Sequence, residues 1–271
     1  MEFKETLGHH KQKNQLLNAF EQTSLAHAYA LCGPENIGKT TFALDFVKNV
    51  LGADPVLDLF VFDEDKDFVV EEVRRLREIM ALTSAGRYKA AVIAHAQKLS
   101  SSTANALLKI LEEPPTGSIF ILTCENFSGL LPTIASRLQR INFAPLTESE
   151  MMDFVTRSTL GEEKTLEILK LAGGRSGIAF RLAADDKLYI FLEECHAYFE
   201  TLESGSLLER FKSAEVVASW EGEQIEMFLK TMMRIWTERL TPKRLGERLM
   251  IAFRDLRYNV NIKLIMDNLF I

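Results

Sequence analysis

The segment GPENIGKT, which begins at Gly33, has the spacing of a loop that binds the phosphates of a nucleotide. Gly33 and Gly38 let the backbone curl so that amide N–H groups point at phosphate oxygens. Lys39 is placed to reach the β- and γ-phosphates, and the Thr40 hydroxyl to ligate Mg²⁺, with Thr41 next to it. The segment follows an apolar strand pattern and precedes a helical one, so it predicts an ATP site.

Hydrolysis of ATP also needs acids, which position Mg²⁺ and the attacking water. The strand expected to carry them, residues 89–95, supplies Ala94 and His95 instead. We therefore expect ATP and Mg²⁺ to bind without hydrolysis. Asp63 and Glu64, which follow the apolar run LDLFVF, are an alternative acidic pair, although we favour a solvated loop after an edge strand. The choice depends on whether that strand lies beside the strand before the phosphate-binding loop.

The elements that position these residues alternate between strand and helix patterns. Buried strands are predicted at 27–33, 57–62, 89–95, 118–124 and, more briefly, 140–146. Helices are predicted at 39–51, 68–82, 103–113 and 129–138. This alternation is typical of an α/β domain with a mostly parallel sheet covered on both faces.

After Pro145 the strand signal stops and helices follow. Thr147 and Glu150 have the spacing of a capping box at a helix start, and helical patterns follow at 162–172 and 177–186. The rest of the chain is helical too, with apolar faces that end at Phe270. We predict three domains, comprising residues 1–146, 147–188 and 189–271.

Composition limits the functional classes. The chain has 271 residues, 47% of them hydrophobic, and a net charge of -6, so contact with nucleic acid requires a local basic patch or a partner. Three separated cysteines suggest neither a zinc site nor a disulfide framework. The polar N-terminus and the lack of a long apolar run predict a soluble, cytoplasmic protein without membrane contact.

The run ANALLKILEEPP, followed by LLPTIASRLQ, resembles the clamp-loader branch of the AAA+ ATPases. AHAYALCGPENIGKTTFA upstream and RYNVNIKLIMDNLFI at the end of the sequence are similar to the same family, so the likeness covers nearly the whole chain. The resemblance implies a P-loop AAA+ (RecA-like) sheet domain, a small three-helix lid and an all-helical collar domain that packs in a heteropentamer. It also implies that the strand before Asp63 lies at the sheet edge.

The resemblance also implies roles for individual residues. The phosphate-binding loop matches the family pattern, and Thr123 matches a polar sensor beside the γ-phosphate. Arg137 matches an arginine offered in trans to a neighbouring subunit, the alternative being a surface salt bridge. Gly177 stands where the family carries a second sensor arginine. The family's zinc module has no counterpart after residue 48, so zinc is not expected.

For function, the resemblance implies a place in the DNA polymerase III holoenzyme. The expected partners are other clamp-loader subunits, of the gamma/tau and delta types, contacted through the helical C-terminal domain and the AAA+ faces. The sliding clamp and primed DNA would be reached through the assembly. We expect a subunit without ATPase activity that supplies Arg137 to a neighbour. The alternative is a self-sufficient ATPase of the gamma/tau type that uses Asp63 and Glu64.

Overall fold

A five-stranded parallel sheet forms the centre of the first half of the chain in the computed structural model. The structure describes residues 3–51, 58–62, 69–82, 88–158, 160–239, 243–258 and 260–271. It divides into two compact units, Met1–Phe180 and Arg181–Ile271. The three domains predicted from the sequence, with boundaries after residues 146 and 188, stay a prediction.

The strands are, in chain order, β1 (Ala28–Cys32), β2 (Leu59–Phe62), β3 (Lys89–Ile93), β4 (Ser118–Cys124) and β5 (Gln139–Asn142). Their order across the sheet is β2-β3-β4-β1-β5. All residues of β1, β3 and β4 are buried, which explains why their sequences are mostly apolar rather than alternating. The prediction of a parallel sheet, with the strand before Asp63 at its edge, is confirmed.

Four helices cover the two faces of the sheet: α1 (His10–Glu21), α2 (Lys39–Leu51), α3 (Val70–Ala81) and α4 (Ser101–Glu112). The apolar sides of α1 and α2 pack on one face, with Phe42 and Phe46 fully buried. The apolar sides of α3 and α4 pack on the other face, with Leu76 and Leu107 in its core. Each face therefore carries its own layer, and the carboxyl ends of the strands stay open for a site.

The predicted helix over 129–138 is wrong in length. A single 3₁₀ turn covers Phe127–Gly129, and α5 comprises only Pro132–Ala135. Pro132 begins α5 because proline suits the first turn of a helix, while the residue before it stays extended. The main chain leaves the helix at Ser136 and enters β5 three residues later.

The end of the first unit is helical, as predicted. It contains α6 (Glu148–Arg157), α7 (Glu162–Ala172) and the start of α8 (Ser176–Ala184). The predicted capping box of α6 is confirmed, since Thr147 Oγ1 accepts from the Glu150 N–H and Glu150 accepts from the Thr147 N–H. Glu150 also accepts from the His9 N–H at 3.1 Å, which joins α6 to the N-terminal segment.

The second unit packs five further helices around one core. They are α9 (Asp186–Ser204), α10 (Leu207–Ala218), α11 (Gly222–Arg239), α12 (Lys243–Arg257) and α13 (Ile262–Phe270). Phe199, Phe228 and Phe270 are fully buried in this core, and the predicted apolar faces of α12 and α13 point into it. Among the helices that the structure describes, none has the length and apolarity needed to cross a bilayer.

Candidate functional site

The loop between β1 and α2 has the curled shape that the glycine spacing predicts. The Gly33 N–H donates to the Cys124 carbonyl at 3.1 Å. A Cβ at Gly33 would lie 2.3 Å from the Phe143 carbonyl oxygen, so no larger residue fits without displacing the backbone. Gly38 has a φ of +89°, a conformation that favours glycine. The loop thus provides a backbone cradle of the kind that surrounds phosphate oxygens.

Lys39 lies folded into this loop. Its Nζ donates to the carbonyls of Gly33 at 2.8 Å and Pro34 at 2.6 Å. The residue is 8% exposed, and burial lowers the pKa of its ammonium group, an effect opposed by neighbouring acids. Phosphate oxygens are stronger acceptors for an ammonium group than two neutral carbonyls, so the residue fits a triphosphate. Thr40, at the start of α2, is half-buried, and Thr41 is exposed.

The strand ends beside the loop are joined by a hydrogen bond. The Thr123 hydroxyl, 2% exposed, accepts from the His95 N–H at 3.1 Å. Ala94 and His95 follow β3 directly, so the end of this strand presents no carboxylate. Thr123, the predicted sensor, lies on β4, which is the direct neighbour of β1. It is paired in register with Leu31 of β1.

The strand that precedes the alternative acids is not adjacent to β1. Asp63 and Glu64 fall outside the described residues, and β2, the strand before them, is separated from β1 by β3 and β4. Of the ranges described, none brings together three His, Cys, Asp or Glu side chains in the way that a metal site of protein ligands would need. The Thr40 hydroxyl is therefore the group at the loop that would contact Mg²⁺ bound with a nucleotide.

Glu125 is an acid near the loop that sequence reasoning missed. It follows β4 directly, and its carboxylate accepts from Gln97 Nε2 at 3.0 Å. It raises the pKa of Lys39, as does Glu35 in the loop itself, so both carboxylates lie within electrostatic reach of the ammonium. The signal was available in TCEN, because residues after neighbouring parallel strands meet at one edge of a sheet.

Two thiols lie beneath the loop. Cys32 and Cys124 end the paired strands β1 and β4 in register, and their sulfur atoms are 3.1 Å apart without a disulfide. Their shared hydrogen bond and burial raise the pKa of Cys124. Both residues belong to the core, where a buried thiol packs as a small hydrophobe.

The start of α8 contacts the phosphate-binding loop directly. The Gly177 N–H donates to the Asn36 carbonyl at 2.8 Å, and a Cβ at Gly177 would lie 2.8 Å from the same oxygen. Any side chain at residue 177 would therefore meet the backbone of the loop.

A cleft of about 220 Å³ lies between the loop, α8 and the N-terminal segment. Thr41 and Phe180 line it together with residues 5–7, which were not predicted to belong to the site. Asp45 fixes that segment, because one of its carboxylate oxygens accepts from the Glu5 and Thr6 N–H groups at 2.9 and 2.8 Å. His9 donates from Nε2 to the Ile37 carbonyl at 2.8 Å and ties the same segment to the loop.

Arg137 lies away from this loop, on the surface just after α5. One of its terminal nitrogens donates to the Thr133 carbonyl at 2.6 Å and to Ser136 Oγ at 3.2 Å. The other pairs with the Glu112 carboxylate at 2.6 Å. Its side chain is 32% exposed. The guanidinium is therefore fixed in direction and accessible from outside.

Comparison with known proteins gives the site a context. Residues 54–147 match the sequence family described as DNA polymerase III, delta subunit. The chain is 26% identical to DNA polymerase III subunit tau of Bacillus subtilis across 94% of its own length and 49% of that protein. It is 30% identical to subunit delta' of the same organism across 51% of its own length and 48% of that protein. These similarities support the clamp-loader AAA+ family.

The fold agrees with this family. A gamma subunit-related protein of Thermotoga maritima superposes with a TM-score of 0.55 at 19% identity, covering 94% of this chain and 97% of the other. At that identity the likeness concerns the fold, an α/β P-loop domain followed by helices. The chain spans about half the length of the tau and delta' relatives that it matches.

Proposed function

We propose that this chain is a delta-prime-like subunit of the DNA polymerase III clamp loader, without ATPase activity of its own. It would help to load the sliding clamp onto primed DNA and would offer Arg137 to the ATP bound by a neighbouring subunit. Its partners would be subunits of the gamma/tau and delta types. The observation that carries this proposal is the end of β3, where Ala94 and His95 stand in place of acids.

Three further observations support the proposal. The run from ANALLKILEEPP to LLPTIASRLQ resembles the clamp-loader family, and a subunit named delta' is 30% identical across 51% of this chain. Gly177 stands where the resemblance places a second sensor arginine, and Arg175 and Arg181 are only nearby, so we expect the chain to lack this second group that would act on its own ATP. Arg137, in contrast, is retained on the surface, where a neighbouring subunit can reach it.

The role in trans follows from charge and geometry. As the bond to the γ-phosphate breaks, its electron pair stays on the leaving oxygen and negative charge is spread over the transferred group's equatorial oxygens, and a guanidinium fixed beside them stabilises that charge. ATP bound at the loop of this chain would occupy the space around the backbone amides. Its phosphates would replace the carbonyls of Gly33 and Pro34 as acceptors for the Lys39 ammonium. In this subunit, the bound nucleotide would then hold the loop, α8 and residues 5–7 in place without being hydrolysed.

The trans role is tested in a reconstituted loader that contains Arg137→Ala. We expect ATP hydrolysis at the adjoining site to fall on the order of 10³-fold or more, and clamp loading with it. Arg137→Lys should not restore the rate, because the ammonium lacks the planar fork of the guanidinium. Exposed Arg75 on α3 provides the control, and Arg75→Ala should leave both rates unchanged. Unchanged rates in the Arg137 variants would exclude the role.

A self-sufficient ATPase of the gamma/tau type is the second candidate, favoured by the match to subunit tau over 94% of this chain. Phosphate release by the purified chain distinguishes the two. Steady turnover of about 1 s⁻¹, lost in Asp63→Asn or Glu64→Gln, would establish the second candidate and remove the first. Binding of a non-hydrolysable ATP analogue, lost in Lys39→Ala, would separate a nucleotide-binding subunit from a scaffold that binds none.

A further inference from the structure

The helical unit of residues 181–271 contains a pocket that the proposed function does not use. Its volume is about 390 Å³, and it lies where α9 ends and α10 and α12 begin, next to Ile271. Leu202, Leu245 and Ile271 give it an apolar wall. A space of this size holds several side-chain groups and is larger than a single inorganic oxyanion needs.

Three arginines line the same pocket: Arg210, Arg244 and Arg248. Within the described ranges, their side chains make two hydrogen bonds, both to neutral carbonyls. Arg210 donates to the Glu203 carbonyl at 3.5 Å, and Arg248 donates to the Asn268 carbonyl at 3.1 Å. No carboxylate of the described residues forms an ion pair with any of the three arginines.

The one acidic side chain in the pocket wall is already engaged. The Glu203 carboxylate pairs with Arg239 at 3.3 Å. Arg210 Nε is buried without a hydrogen-bond partner among the described residues. Burial, Arg244 and Arg210 together lower the pKa of Arg248, as expected where like charges crowd without a counterion. The pocket therefore holds three positive charges and donors that an anionic ligand would satisfy.

We propose that this pocket binds an acidic peptide segment of a protein partner, with carboxylates on the arginines and an apolar side chain against Leu202 and Leu245. Guanidinium groups bind carboxylates in bidentate pairs, which fits the basic side. The apolar wall has no counterpart in the sugar-phosphate backbone of DNA, so a peptide fits both sides of the pocket. The inference does not depend on ATP or on Arg137.

The surface beside the pocket has the same mixed character. Leu207 is 68% exposed and lies three residues before Arg210 on α10, so the two share one helix face. Phe211, 43% exposed, follows one turn after Leu207. A peptide that enters the pocket can thus continue along α10 over further apolar side chains.

The first test uses a displayed library of random twelve-residue peptides, selected on the full chain at low salt. We expect the selected peptides to combine Asp or Glu with Leu, Ile or Phe, and selection on a chain carrying Arg244→Gln and Arg248→Gln to lose this enrichment. Peptides without acidic residues, or the same enrichment on the double variant, would overturn the proposal.

The second test measures one selected peptide by fluorescence anisotropy. We expect Arg244→Gln to weaken binding about fivefold or more, and added salt to weaken it further. Arg257, exposed on the same helix but outside the pocket, gives a matched control, and Arg257→Gln should leave the affinity unchanged. Three outcomes would exclude a peptide pocket. The first is an equal loss of affinity in both variants, and the second is equal binding of a peptide that has amides in place of its carboxylates. The third is displacement by an oligonucleotide at a lower concentration than by unlabelled peptide.

Discussion

Arg137 forms an ion pair with Glu112 of its own chain, and this pair competes with the proposed contact to a neighbour's phosphate. Three of the five guanidinium N–H donors are used by Thr133, Ser136 and Glu112. The Glu112 carboxylate occupies one N–H of the second terminal nitrogen and repels a phosphate that approaches the same nitrogen, so it competes with a neighbour's phosphate for the guanidinium. That pair is exposed, so releasing it costs at most about 1 kcal/mol.

Removal of the competing charge should therefore favour the exchange. We expect Glu112→Gln to raise ATP hydrolysis by a reconstituted loader by up to about fivefold, because the amide no longer opposes the phosphate for the arginine. The neighbouring Glu113 is exposed too and forms the control, and Glu113→Gln should leave the rate unchanged. If both variants hydrolyse ATP like the original chain, Glu112 does not restrain Arg137.

His196 predicts how the stability of the second unit depends on pH. Burial, followed by Arg234 and Arg239, lowers its pKa to about 4, from an ordinary value of 6.5. Between these values the unfolded chain binds a proton that the folded chain does not, so stability is lost as the pH falls from 6.5 towards 4. At pH 5 we expect a loss of about 2 kcal/mol from this group.

The pH effect is measured by urea unfolding at pH 7 and pH 5, followed by the fluorescence of Trp220 and Trp236, which both lie in this unit. His196→Gln should reduce the difference between the two pH values. An unchanged difference would mean that other groups cause it.

At the scale of elements, strong periodicity gave the correct boundaries. The helices predicted over 39–51 and 162–172 occur with those bounds, because each combines a continuous apolar face with a clear start. The helix predicted over 129–138 shortened to α5, since Leu130 and Ile134 reach the core from a loop and a four-residue helix, while Leu131 between them stays exposed. Helix α1 was not predicted, because it is polar and only Leu16 is buried among its residues.

The candidate site likewise contains a part that the sequence predicts and a part that it does not. The phosphate-binding loop was predictable because its contacts are local and its glycines are required by the backbone. The bond between Asp45 and the Thr6 hydroxyl, 2.8 Å long, joins residues that are 39 positions apart, and no local pattern marks such a pair. The contact of Gly177 with Asn36 is likewise a property of packing, although the glycine itself was noted as a departure from the family.

That contact leads to a prediction about the loop. Gly177→Ala places a methyl group 2.8 Å from the Asn36 carbonyl, so α8 or the loop has to shift, at a cost of about 1–3 kcal/mol. We expect hydrogen exchange of the amides of residues 33–40 to become about five- to hundredfold faster. A Cβ at Gly222 meets nothing within 4 Å, so Gly222→Ala should not affect these amides. Exchange that is equal in the two variants would contradict a coupling between α8 and the loop.

At the scale of the whole molecule, each compact unit has its own core. The buried core of the second unit is contributed by residues from Cys195 onwards, and α9 starts with a cap in which Asp185 accepts from the Lys187 and Leu188 N–H groups. We therefore expect the fragment 185–271 to fold by itself and to unfold cooperatively. Phe228→Ala should then destabilise it by about 3–5 kcal/mol. A fragment with no cooperative transition in tryptophan fluorescence would show that this core is insufficient.

The register of β1 and β4 also has a practical consequence. The thiols of Cys32 and Cys124 face each other on adjacent strands, so one oxidation step would join them in a disulfide. This bond would link the strand before the phosphate-binding loop to the strand that carries Thr123. Air or peroxide would accept two electrons and two protons from the thiols, and the sulfurs would join in a disulfide. A preparation aged without reductant should therefore lose two hydrogen masses and yield a crosslinked peptide pair after digestion, and its nucleotide-binding behaviour would belong to the disulfide-bonded form.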